Sequence, residues 1–145
     1  MGLLTGITDT YKKSEAAVVV QNLLEQQLKA GLFESDPAMC ANRLVEVIWQ
    51  QKPDMFGGKF GQRPHKLSIA AAAFSFAVAN GPEDHTNRDA YVLCLGTVLA
   101  EFETNGRLYP LNGIDHVLLE GAAQVFTETV AKQKAAMPDF VKHFL

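Results

Sequence analysis

Cysteine and positive charge are both scarce in this chain of 145 residues. The two cysteines, Cys40 and Cys94, lie in separate apolar stretches and form no CxxC motif, so we interpret them as buried thiols of an intracellular protein. The 13 Lys and Arg residues are outnumbered by 16 Asp and Glu residues. Nucleic-acid binding requires a basic surplus that displaces counterions from phosphates, and we therefore expect no nucleic-acid partner.

Long apolar runs are also missing. The two longest, 69–79 and 90–100, are broken by Ser75 and Thr97 and fall short of the roughly 20 residues that span a bilayer. The N-terminal stretch 1–7 is apolar but lacks the basic region and the cleavage site of a secretory signal. We therefore expect a cytoplasmic protein that has no membrane partner.

The composition that remains is that of a globular protein. Hydrophobic residues make up 48% of the chain, and the formal net charge is -3. A chain of this length buries roughly 70% of its unfolded surface, which is enough for a core without metal or disulfide bonds. We predict one helical domain over residues 1–145.

Apolar residues recur at intervals of three and four in five segments, which predicts an all-α fold. The third and fourth helices are apolar nearly all round, so we expect them to form a central hairpin enclosed by the other three. Pro138 introduces a short C-terminal helix. The five main helices are predicted over 9–30, from 37 to just before Pro53, and over 66–79, 87–104 and 112–134.

Residues typical of helix ends lie at most of the predicted boundaries. A left-handed glycine after the first helix and a left-handed residue before Pro82 are the expected helix stops. Asp36 and Asn112 are expected to cap helix starts through their side-chain oxygens. These two stops are Gly31 and Asn80-Gly81. The remaining end signals are Pro37 at a first helical position, a capping box of Thr86 with Asp89, and Asp115 in the first turn of the fifth helix.

The glycine-rich connection 54–65 is the first candidate functional stretch. It carries neither a GxxxxGK motif followed by Ser or Thr nor a GxGxxG motif, so an anion or nucleotide site is the least favoured interpretation. A loop of this composition can contact a partner protein. For the loop taken by itself we favour a plain connection whose phenylalanines fill the core. The candidate partner-binding residues are Phe56, Lys59, Phe60, Arg63 and His65.

The connection 101–112 is the second candidate stretch. Its spacing resembles a degenerate EF-hand loop, in which Glu101, Glu103 and Asn105 occupy the first, third and fifth ligand positions. The twelfth position is an asparagine instead of the bidentate glutamate, so we favour a helix end followed by a capped helix start. His116 and Glu120, four residues apart on one helix, complete the candidate metal ligands.

The sequence contains no recognisable catalytic set, and it carries 9 phenylalanines together with an apolar tail at 140–145. We therefore predict a non-enzymatic protein–protein interaction module of the adaptor, small-chaperone or inhibitor type, with no cofactor. Its expected partner is another protein chain, a second copy of itself included. One alternative is a helical bundle that binds a small molecule in an apolar pocket. The other is a metal protein or enzyme that uses the acidic 101–115 connection.

Overall fold

A computed structural model describes residues 2–51, 64–81 and 86–136, with side chains for 11–51, 64–81 and 86–135. Within these ranges the chain forms five α-helices and no strand, which confirms the all-α prediction. The short helix predicted after Pro138 lies outside the described residues. The helices are α1 (Gly2–Lys29), α2 (Pro37–Gln51), α3 (Lys66–Asn80), α4 (Arg88–Asn105) and α5 (Gly113–Ala136), with a 3-10 turn at Gly106–Leu108.

Helix α3 is the centre of the bundle and contacts each of the other four helices. Its side chains from Ser68 to Phe74 are all buried. Helix α4 packs against α3, so the predicted central hairpin is present. Although helix α4 is apolar nearly all round, it is not buried on every side. Leu93 on its outer side is 48% exposed. None of the helices in the described ranges combines the length and the apolar character needed to cross a membrane.

The end of α1 is a Schellman motif, as predicted from Gly31. This glycine has a φ of 80°, in the left-handed region that favours a residue without a side chain. The amide of Gly31 donates to the carbonyl of Leu28 at 3.1 Å, and the amide of Leu32 donates to the carbonyl of Gln27 at 2.9 Å. The start of α1 differs from the prediction, since the helix begins at Gly2.

The boundaries of α2 and α3 show where local signals succeed and where they conflict. Asp36 caps α2 as predicted, because its Oδ1 accepts from the amide of Met39 at 3.1 Å. The predicted left-handed residue after α3 is wrong: Gly81 is extended, with φ −82° and ψ 156°. The cause is Pro82, because a residue that precedes proline is driven toward extended backbone.

The predicted capping box of Thr86 with Asp89 is also wrong. The N-cap of α4 is Asn87, and its side chain does not cap the helix. Its Oδ1 accepts from the amide of Glu34 at 2.9 Å, and its Nδ2 donates to Oγ of Ser35 at 2.7 Å. The buried Asn87 therefore fastens the α1–α2 connection to the start of α4.

Candidate functional site

The two stretches singled out from the sequence meet at one end of the bundle, around the fully buried carboxylate of Asp115. Its Oδ1 accepts from the amide of His65 at 2.6 Å, and its Oδ2 accepts from the amide of Asn112 at 2.8 Å. The side chain of Asn112 in turn accepts from the amides of Ile114 at 2.9 Å and Asp115 at 3.2 Å. The predicted cap at Asn112 is confirmed, and it is reciprocal. Asp115 thus joins the starts of α3 and α5.

His65 is the N-cap of α3, a role that its position in a candidate contact loop does not reveal. Its Nδ1 accepts from the amide of Leu67 at 3.1 Å, so the ring is neutral and carries its proton on Nε2. Burial lowers the pKa of His65, and the nearby positive charges of Lys66 and Lys12 act in the same direction. The Asp115 carboxylate opposes them. The net effect favours the neutral imidazole that the cap requires.

An aromatic cluster covers the His65 ring. The ring of Tyr109 lies 4.9 Å from it, and the ring of Phe102 lies 6.4 Å from it and 5.9 Å from Tyr109. The Tyr109 hydroxyl donates to Oε1 of Glu101, which also accepts from Nδ2 of Asn105 at 3.1 Å. Both hydrogen bonds lower the pKa of Glu101, and the bond from Tyr109 has the larger effect. The 101–112 connection therefore packs on the end of the 54–65 loop.

The proposed metal ligands of the 101–112 stretch do not converge in the part of the chain that the structure describes. Glu101 is engaged by Tyr109 and Asn105, while Glu103, His116 and Glu120 are exposed. No group of three or more His, Cys, Asp or Glu side chains in the described ranges could hold a metal ion. This arrangement gives the metal interpretation no support.

A shallow cavity of about 440 Å³ lies beside the aromatic cluster. It is lined by Phe102, Gly106, Arg107, Tyr109, Leu111, His116 and Leu119.

Most of the predicted contact loop lies outside the described residues. Phe56, Lys59, Phe60 and Arg63 belong to this part of the chain, so their roles stay predictions. The residues that end the loop are described: Pro64 is buried and His65 caps α3. The C-terminal side of the loop is therefore fixed to the bundle, beside the aromatic cluster.

A second candidate surface is a groove between α2 and α5, which we call the α2–α5 groove. It has a volume of about 220 Å³, and α3 forms its floor. Val117 on α5 lines it and is 55% exposed, although its place in the apolar stripe of α5 predicts burial. None of the described side chains that line it carries a charge. The lining residues are Ile48, Gln51, Ala72, Ser75, Phe76, Ala79, Asn80, Val117, Leu118, Gly121, Ala122 and Val125.

Sequence reasoning missed this groove, although a signal for its floor was present. Small residues recur at Ala72, Ser75 and Ala79, three and four positions apart on one side of α3. The alanine-rich side of this helix predicts close packing of helices against it. The structure instead leaves part of that side open, and Ala79 is exposed.

The two thiols are poor candidates for nucleophilic chemistry. Cys94 is fully buried, and burial raises its pKa to about 12. Cys40 is half-buried, its Sγ lies 3.4 Å from the Tyr91 hydroxyl, and burial raises its pKa as well. Since the thiolate is the reactive form, both side chains behave as small hydrophobic groups, in agreement with the interpretation from sequence.

Comparisons of the chain with protein-family models, with curated proteins and with solved structures find no match.

Proposed function

We propose that this protein is a non-enzymatic interaction module of the adaptor, small-chaperone or inhibitor type, and that it binds an apolar helix of another protein chain in the α2–α5 groove. The observation that carries the proposal is that, among the described residues, α3, the most buried helix, has no cover where α2 and α5 diverge. A helix laid in this groove would complete the layer around α3. A cytoplasmic location belongs to the proposal, supported by the free thiols of Cys40 and Cys94.

The chemistry of the groove specifies the partner surface. Because the described lining carries no charged side chain, a charged group placed against it would lose its hydration without gaining a counter-charge. Aliphatic side chains lose nothing in the same place and bury apolar area against Val117, Phe76 and Val125. The partner helix should therefore present Leu, Ile, Val or Met side chains.

The size of the groove sets how much of the partner it can hold. From Ala72 to Ala79 the floor extends about 10 Å along α3, at roughly 1.5 Å per residue. This corresponds to about two helical turns, which present apolar anchors spaced three and four residues apart. Small floor residues allow the backbone of such a helix to approach α3 closely.

Gly121 offers a substitution that alters the groove without altering the fold. A Cβ added at Gly121 would meet no atom within 4 Å. Gly121→Asp therefore introduces a charge at a groove-lining position where the added Cβ has open space. Ala123→Asp is the matched control, since Ala123 is also exposed on α5 but does not line the groove.

The experiment uses a photo-crosslinking amino acid at Val117 in cells, with the crosslinked peptides identified by mass spectrometry. We expect an adduct with an apolar helical segment of another protein. A synthetic peptide of that segment should bind the wild-type protein and the Ala123→Asp variant equally, and the Gly121→Asp variant at least tenfold more weakly. Crosslinks confined to residues 137–145 of the same chain, or to a second copy, would refute the proposed partner. Equal peptide binding by both variants would refute the groove as its site.

A further inference from the structure

Another pocket lies where α2 meets the end of α3 and the start of α4. Its volume is about 370 Å³, and we call it the arginine pocket after Arg43 and Arg88, which both line it. Leu44 and Ala77 give it an apolar wall, and both are buried. It therefore combines an apolar wall with two arginines from separate helices, Arg88 partly buried and Arg43 exposed at the edge.

The guanidinium of Arg88 is held in place by the backbone. Its Nη1 donates to the carbonyl oxygen of Val78 at 2.8 Å. A guanidinium has five N–H donors, so this bond fixes the orientation of the group and leaves other donors for a ligand. A carbonyl oxygen carries only a partial charge, and the positive charge of Arg88 is therefore not neutralised by this contact.

Neither arginine is neutralised by an acidic side chain within the described residues. The ion pairs in those ranges are Lys12–Glu15 at 3.7 Å and Lys13–Glu46 at 2.6 Å. The pocket lining, as far as the structure describes the chain, includes no Asp or Glu. Two positive charges that share one small pocket repel each other, and an anion between them would relieve that repulsion.

Tyr91 supplies an aromatic wall next to the two charges. Its ring packs edge-on against Phe33 with 6.0 Å between the centroids, and its hydroxyl lies 3.4 Å from Sγ of Cys40. These contacts hold the ring in a fixed position beside Arg43 and Arg88. A ligand that fits all of these groups has a flat or short apolar body and one anionic end.

We propose that the arginine pocket binds a small organic carboxylate, with its apolar body against Leu44 and Tyr91 and its carboxylate held by Arg43 and Arg88. A carboxylate is the anion class whose two oxygens match the planar N–H pairs of arginine. The volume lies within the range of small-molecule pockets, near its lower end. The pocket adjoins the proposed partner groove and shares Phe76 and Asn80 with it, but neither arginine lines that groove, and the proposal does not depend on it.

The test is a titration of the full chain with naphthalene-2-carboxylate, followed by ¹H–¹⁵N NMR, with the uncharged naphthalene-2-methanol as a paired probe. We expect the carboxylate to shift the amide signals of Gly81, Arg88 and Tyr91 and to bind at least fivefold more tightly than the alcohol. Equal binding of the two probes would overturn the proposal. So would shifts confined to Val117, Gly121 and Val125, which line the α2–α5 groove but not the arginine pocket.

Substitution of Arg43 tests whether its positive charge binds the carboxylate. Arg43→Gln should raise the dissociation constant of the carboxylate roughly fivefold or more and leave that of the alcohol unchanged. Arg107→Gln, an equal change of charge beyond the other end of α4, is the control and should have no effect. An unchanged dissociation constant in Arg43→Gln would overturn the proposal.

The connection between α3 and α4 contains Glu83 and Asp84, which lie outside the described residues. The double variant Glu83→Gln, Asp84→Asn tests whether these acids already neutralise the arginines. Binding of the carboxylate that appears only in this variant would overturn the proposal. Binding of similar strength in the wild-type protein and the double variant would support it.

Discussion

Replacing Asp115 measures how strongly one buried carboxylate holds the starts of α3 and α5 together. Asp115→Ala leaves the amides of His65 and Asn112 without their acceptor at a position with no solvent exposure. A buried donor that loses its partner costs about 1–3 kcal/mol. The lost charge near two helix N-termini adds about 0.3–1 kcal/mol. With two such donors these contributions sum to about 2–7 kcal/mol, and we expect Asp115→Ala to lower the free energy of unfolding by that amount.

Urea denaturation followed by circular dichroism gives that free energy directly. Asp89→Ala is the matched control, because Asp89 is also in the first turn of a helix but is exposed. Asp89→Ala should lower the free energy of unfolding by about 0.5 kcal/mol. Asp115→Asn keeps one acceptor oxygen and should fall between the two variants.

The amide exchange rates of His65 and Asn112 provide a local measurement of the same effect. Both amides should exchange faster in Asp115→Ala, in excess of the change at amides in the middle of α1. A loss in stability below 1 kcal/mol for Asp115→Ala, or equal losses for the Asp115 and Asp89 variants, would refute the structural role assigned to this carboxylate.

Two further predictions concern single residues described above. Burial lowers the pKa of His65 in the folded state, so the stability that its neutral ring provides is complete above about pH 6.5 and is lost as the pH falls below that value. His65→Asn keeps a capping oxygen and should show a flatter dependence of unfolding free energy on pH between 7 and 5.5; identical slopes would contradict the assignment. Gly96→Ala would place a Cβ 3.1 Å from Cε2 and 3.2 Å from Cζ of Phe126, which should destabilise the fold by about 1 kcal/mol despite the better helix propensity of alanine. At Gly121 an added Cβ meets no atom within 4 Å, so Gly121→Ala should stabilise the fold by about 0.5–1 kcal/mol. Equal effects of the two glycine substitutions on the free energy of unfolding, measured by urea denaturation, would rule out this steric explanation.

The features that sequence reasoning predicted correctly depend on contacts between near neighbours. The left-handed Gly31 and the caps at Asp36 and Asn112 each involve hydrogen bonds within a few residues. Helical periodicity is local in the same sense, and it indicated five helices. The extended Gly81 was also within reach, because the effect of Pro82 on its neighbour is local.

The features that were missed depend on residues far apart in the sequence. Asn87 bonds to Glu34, 53 positions away, and His65 bonds to Asp115, 50 positions away. Residue type alone marks each of these side chains as polar and gives no hint of its partner. The prediction of functional residues failed for the same reason. It placed His65 and Glu101 in two separate candidate stretches, which the structure brings together.

The central position of α3 in the core coincides with a middle position in the sequence, and this has a consequence during synthesis on the ribosome. The buried side chains of α1 and α2 belong to the same core cluster as those of α3. When the first two helices emerge they can pack on each other, but the sides that face α3 have no cover, because α3 has not yet been translated. The nascent chain must therefore keep an exposed apolar surface until α3 has been translated, and α5, which also packs on α3, follows later.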